Sequence, residues 1–178
     1  GIYAVLGQGE MRIIESNIRG NTAEQGGGIA AERHLYISKS QIVENSASVD
    51  YGGIRICCGA KTEIYNTTIA NNSSGGSGNG LSLIGGHGSL ILKNSILWNN
   101  GDYEIKANDT GGEWSSNIKY SIIKNGLNGI DNQGDHQITW GQGNTSNDPL
   151  LDGNYVLGTG SPAIDSGHPH PWFIDLDG

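Results

Sequence analysis

Apolar and polar residues alternate along this chain in short runs, and the runs recur in a fixed order. The unit is an aliphatic residue, a Ser or Thr three positions later, a second aliphatic residue two further on, and an Asn three after that. Ile13, Ser16, Ile18 and Asn21 form the first copy, followed by Ile37, Ser40, Ile42 and Asn45; then Ile64, Thr67, Ile69 and Asn72; then Leu92, Ser95, Leu97 and Asn100. A fifth copy, Ile118, Ser121 and Ile123, carries Gly126 where the Asn belongs. The hydroxyl positions are 24, 27, 28 and 26 residues apart, a period that signals stacked repeats. Apolar positions do not recur at helical spacing, and the aliphatic residues are those that suit pleated strands.

Each copy reads as a corner, a strand, a variable loop, a strand and a turn. The corners carry glycine before an apolar residue, at Gly28-Ile29, Gly53-Ile54 and Gly80-Leu81, and glycine there suggests a backbone with positive φ. One such coil has only a thin apolar face. Stacked copies bury a continuous column of Ile, Leu and Ala, so the pattern predicts an all-β, right-handed parallel β-helix of about five coils over residues 1–126, with a C-terminal capping segment over 127–178. Asn21, Asn45, Asn72 and Asn100 share one phase of the repeat. They are expected to stack amide on amide, or on turn backbone, as a structural ladder.

The pairing of Gly28-Ile29 with Ile42 to Asn45, and of Gly53-Ile54 with Ile69 to Asn72, resembles the repeats of bacterial secreted right-handed β-helix proteins of the polymorphic outer-membrane protein type. The C-terminal stretch, with Asp148-Pro149-Leu150-Leu151, Tyr155-Val156-Leu157, Gly160 to Gly167 and Asp175 to Gly178, is similar to the ending of the β-helix surface proteins called choice-of-anchor Q domain proteins. The resemblance implies a secreted or cell-surface chain whose anchor lies further C-terminal. The chain starts within a coil at Gly1-Ile2, which suggests a piece of a longer solenoid whose neighbouring segments are its first partners.

Composition narrows the function classes. Thirty of 178 residues are glycine, more than double the usual share of about 7%, yet they sit at corners rather than in a collagen period. A formal charge of −8 with ten Lys and Arg argues against nucleic acid as a partner, and by the same reasoning against anionic polysaccharide unless a metal bridged it. No apolar run approaches a membrane span.

Candidate chemistry is sparse. Cys57 and Cys58 are adjacent; on a strand they would face opposite ways, so one buried and one exposed or loop thiol is expected in preference to a vicinal disulfide. Gly86-His87-Gly88 is a fragment of a polygalacturonase pattern without its paired carboxylates, and Arg33, Arg55, Lys61 and Lys93 lack the recurring carboxylates that a calcium-dependent lyase needs. No catalytic residue is assigned. No cofactor is expected; Asp175 and Asp177 are weak candidates for Ca²⁺, and His168 with His170 read as an ordinary rigid loop. Tyr65 and Trp98 fall at outward phases and are the candidate glycan contacts. The sequons at Asn66, Asn71, Asn72, Asn108 and Asn144 follow from the abundance of Asn, Ser and Thr. The expected function is a non-enzymatic extracellular or cell-surface protein, a stalk, matrix component or adhesin; the alternative is a β-helix carbohydrate-active enzyme or a fragment of one.

Overall fold

The computed structural model describes residues 1–4, 9–76, 79–108, 113–134 and 136–168. It is a parallel β-solenoid of about five coils, built on four stacked sheets with almost no helix. Its first face stacks Ile2–Ala4, Ile29–Ala31, Ile54–Cys57, Leu81–Ile84, Ile105–Asn108 and Ile130–Gln133. The second stacks Glu10–Ile14, His34–Ser38, Lys61–Tyr65, Ser89–Lys93, Ser115–Lys119 and Gln137–Trp140. The third stacks Asn17–Arg19, Gln41–Val43, Thr68–Ala70, Ile96–Trp98 and Ile122–Ile123, and a short fourth joins Thr22–Gln25, Ser46–Asp50 and Ser73–Ser74. All these pairings are parallel, so the fold class anticipated from the repeat is the one observed.

Register explains the repeat. Ile13, Ile37, Ile64, Leu92 and Ile118 are directly opposed on the second face; Ile18, Ile42, Ile69, Leu97 and Ile123 are opposed on the third. Ile29, Ile54, Leu81, Ile105 and Ile130 complete the first, and all three columns meet in one apolar core. Strand alternation sends every second residue inward, so same-phase aliphatic residues must coincide once the coils are in register.

The bends contradict one expectation. Gly28, Gly53 and Gly80 do not adopt left-handed φ, whereas Glu15, Lys39, Asn66, Asn94 and Tyr120 after the second face do, at φ 46° to 51°. Glu44, Asn71, Asn99 and Asn125 do the same after the third. The corner glycines are needed for room. A Cβ at Gly53 would sit 2.4 Å from the Gly80 carbonyl oxygen, and at Gly80 2.3 Å from that of Glu104. The left-handed residues turn the chain between faces, each non-glycine one costing on the order of 1 kcal/mol or more. Their N–H groups still donate to the next coil, Glu15 to Ser38 O at 3.0 Å, Lys39 to Tyr65 O at 3.1 Å and Asn71 to Trp98 O at 3.1 Å. The ladder therefore runs through the corners as well as the strands.

The Thr62 hydroxyl faces the core without a partner. Thr62 is opposed to Leu35 and Leu90 and fully buried, and its hydroxyl makes no hydrogen bond. Thr62→Val keeps the shape and removes the unsatisfied group, so a rise in stability of about 1 kcal/mol is expected in urea unfolding; a loss of stability would mean that the hydroxyl is satisfied in solution.

Candidate functional site

The polar residues that the repeat singles out gather at the bend after the third face. Asn45 Oδ1 accepts from the backbone N and the Nδ2 of Asn21, both at 3.0 Å. Asn72 Oδ1 accepts the same pair from Asn45 at 3.0 Å, and Asn100 Oδ1 accepts from Asn72 at 3.0 and 2.9 Å. Each amide also donates back to a carbonyl, Asn45 to Ile18 O, Asn72 to Ile42 O and Asn100 to Ile69 O, all at 2.9 Å. Asn45, Asn72 and Asn100 are buried, so each carboxamide is saturated by its neighbours above and below.

The column ends on a residue that sequence reasoning missed. Glu104 occupies the register position of the corner glycines, one residue before Ile105, just as Gly80 precedes Leu81. In earlier coils that glycine lies against the Asn: a Cβ on Gly80 would come within 3.1 Å of the Asn100 side chain. The fifth coil has Gly126 at the Asn position, and the space is taken from the other side. The Glu104 carboxylate, 2% exposed, accepts from Asn100 N at 3.3 Å and from Asn100 Nδ2. Burial pushes its pKa up, while the donors from Asn100 and the charge of Lys124 pull the other way. The signal was available as a pair: a Gly at the Asn phase and a Glu at the glycine phase.

A second column lines the preceding bend. The hydroxyls of Ser16, Ser40, Thr67 and Ser95 each donate at 2.8 Å to the carbonyl two residues back, and Ser121 does so at 3.0 Å. They accept N–H groups across the coils, Ser16 N to Ser40 Oγ at 3.1 Å, Thr67 N to Ser95 Oγ at 3.3 Å and Ser95 N to Ser121 Oγ at 3.3 Å. Asn144 continues it by accepting Ser121 N at 3.0 Å.

Tyr65 and Trp98 lie on different faces. Tyr65 is on the second, its ring 5.7 Å from that of Tyr36. Trp98 is on the third and half-buried, packed with Leu151 against Val43, Ala70 and Tyr155. Tyr155, noted in the sequence only as part of the C-terminal motif, docks the C-terminal segment: its hydroxyl donates to Glu44 Oε1 at 3.0 Å and accepts from Asn71 Nδ2 at 2.7 Å. Glu44 is in turn held by a two-pronged pair with Arg19 at 2.7 and 2.9 Å, which keeps its carboxyl below the usual range. Asn71, Trp98, Asn99, Asp148, Asp152 and Tyr155 border a cavity of about 170 Å³ beneath this segment.

The cysteine expectation is corrected. Cys57 and Cys58 form a vicinal disulfide, because the strand ends at Cys57 and Cys58 turns to φ 68°, which abolishes the strand alternation that would have separated them. Gly86-His87-Gly88 has a packing role: a Cβ on Gly88 would come 2.5 Å from the buried Trp114 ring, and His87 Nδ1 accepts from Glu113 N at 3.3 Å. Among the described residues no three His, Cys, Asp or Glu gather as a metal site. Asp175, Asp177 and His170 lie outside the described residues, and the His168 N–H donates to Asn94 Oδ1 at 2.9 Å.

Two substitutions probe the Asn column. Asn72→Ala strands the N–H and amide of Asn45 and the carbonyl of Ile42, so a loss of about 3 kcal/mol in urea unfolding is expected, and an effect near zero would show that the column is ornamental. The folded pKa of Glu104 is raised, so its contribution is complete below the ordinary glutamate pKa and lost as pH rises through the folded value. Glu104→Gln cannot titrate and should gain stability relative to the parent as pH rises above the ordinary glutamate pKa; a pH-independent difference would refute the raised pKa.

Comparison of the chain with family models, with curated proteins and with solved structures finds no match in any of the three.

Proposed function

We propose that this chain is a non-enzymatic part of an extracellular or cell-surface β-helix protein, serving as a rigid stalk, matrix component or adhesin. The observation that carries this reading is the use made of polar side chains. The amides and hydroxyls at two bends are consumed in coil-to-coil hydrogen bonds. The outer faces add ion pairs across neighbouring coils, Arg19 with Glu44, Lys39 with Glu15, Arg55 with Glu32 and Lys106 with Asp131. Such groups stiffen a rod, and none of them is an acid or base poised over a cleft.

Two further observations favour the location. The resemblance of the Gly-Ile and Ile-x-x-Asn pairing to polymorphic outer-membrane protein repeats, and of the ending to choice-of-anchor Q proteins, points to export and surface attachment. The Cys57–Cys58 disulfide suits an oxidising compartment. No helix of the described residues is long and apolar enough to cross a membrane.

The competing reading, a polysaccharide lyase or glycoside hydrolase, is separated by product analysis. The protein is incubated with polygalacturonate, alginate and xylan with and without Ca²⁺. Intact polymer throughout is the expected result; unsaturated or shortened oligosaccharides would overturn the scaffold reading.

A further inference from the structure

The second face departs from the charge of the chain as a whole. It and the bend that follows carry Arg12, Lys39, Lys61, Lys93 and Lys119, half of the ten Lys and Arg, against Glu10, Glu15 and Glu63 of the eighteen acids. Those three acids are each paired on this face, Glu10 with Arg12 at 2.8 Å and Glu63 with Lys61 at 3.0 Å within a strand, and Glu15 with Lys39 of the next coil at 3.5 Å. Lys93 and Lys119 remain. They are directly opposed on adjacent coils, and no carboxylate among the described residues forms an ion pair with either. Like charges on directly opposed residues repel each other, and an anion laid across them relieves that repulsion.

Aromatic rings adjoin the same row. Arg12 lies 4.0 Å over the Tyr36 ring, Tyr36 lies 5.7 Å from Tyr65, and Tyr65 is directly opposed to Lys93. Tyr65, Lys93 and Lys119 thus form one outward row on three consecutive coils, a strip of roughly 10 Å at the interstrand spacing, with the Arg12–Tyr36 pair in the adjacent outward row opposite Glu63. All five sit at outward phases, alternating with buried Ile13, Leu35, Ile37, Ile64, Leu92 and Ile118.

We propose that this strip is a docking surface for an anionic polysaccharide of the polyuronate type. The chemistry on the two sides corresponds. Tyrosine rings pack against the C–H faces of pyranose rings, and Lys and Arg form charge-assisted hydrogen bonds with the carboxylates. An extended polyuronate presents both along one axis, at a repeat near that of the coils. A nucleic acid fits less well, because its denser phosphate charge requires many cations and the remainder of this chain is acidic. The net-charge argument against anionic polysaccharide applies to evenly spread charge, and here the solenoid collects cations on one face. This inference rests on the scaffold reading and names the partner of that scaffold.

Binding is measured by biolayer interferometry on the whole chain, with immobilised polygalacturonate, fully methyl-esterified pectin and single-stranded DNA as probes. Polygalacturonate should bind, with affinity falling as salt is raised. Lys93→Gln with Lys119→Gln should weaken it at least tenfold, Tyr65→Ala severalfold, and Lys106→Gln on the first face should leave it unchanged, with the melting temperature of each variant recorded to verify folding. Failure to bind, equal binding of the esterified polymer, stronger binding of DNA, or indifference to the double substitution would each overturn the proposal. Because cleavage is read separately from binding, absence of binding with intact polymer removes this inference alone, whereas polymer shortening removes the scaffold reading.

Discussion

Lateral hydrogen bonding between one coil and the next is the constraint on which everything else in this molecule depends. A single coil has no interior, and it contains conformations that would not persist alone. At two bends per coil the chain places residues such as Glu15, Lys39, Tyr120 and Glu44 in left-handed backbone, an unfavourable region for any side chain bearing a Cβ. Each is held because its N–H donates to a carbonyl of the next coil, Glu15 to Ser38, Lys39 to Tyr65, Glu44 to Ala70 and Tyr120 to Gln142. The Asn and Ser columns extend this logic to side chains, since a buried carboxamide is tolerable only when donors and acceptors face it on both sides.

The same dependence makes the end of a column a chemical problem, and the solution at Asn100 is specific. Its amide and N–H need an acceptor from the fifth coil, which offers Gly126 instead of Asn. A Glu at the corner position supplies that acceptor from the opposite side of the bend. The exchange carries a cost, since a buried carboxyl resists ionisation. The C-terminal segment addresses a related problem on the third face, where Val43 and Ala70 point outward yet are covered by Tyr155, Leu151 and Trp98.

Stacking in register also organises the outer surface. Residues remote in sequence become neighbours at a constant spacing, so a pattern too diffuse to register along the chain becomes a line in space. Tyr65, Lys93 and Lys119 have no sequence motif in common, yet they stand directly opposed on three consecutive coils. Net charge, an average over all faces, conceals that arrangement.

The sequence by itself determined the fold class, the period, the inward aliphatic columns and the shared phase of the four Asn residues, because strand alternation and a repeat of near-constant length leave little freedom about which residues coincide. Tertiary structure alone decided the rest. It assigned the left-handed conformation to Glu, Lys, Asn and Tyr in place of the corner glycines, since the tight point there is the distance to the next carbonyl and not the local φ. It joined Cys57 to Cys58 at a strand end that alternation could not foresee, and it brought Glu104, Asn144 and Tyr155 to the columns and faces they complete. These outcomes depend on which atoms lie one coil away, and a distance between coils is a property of the stack and not of any segment within it.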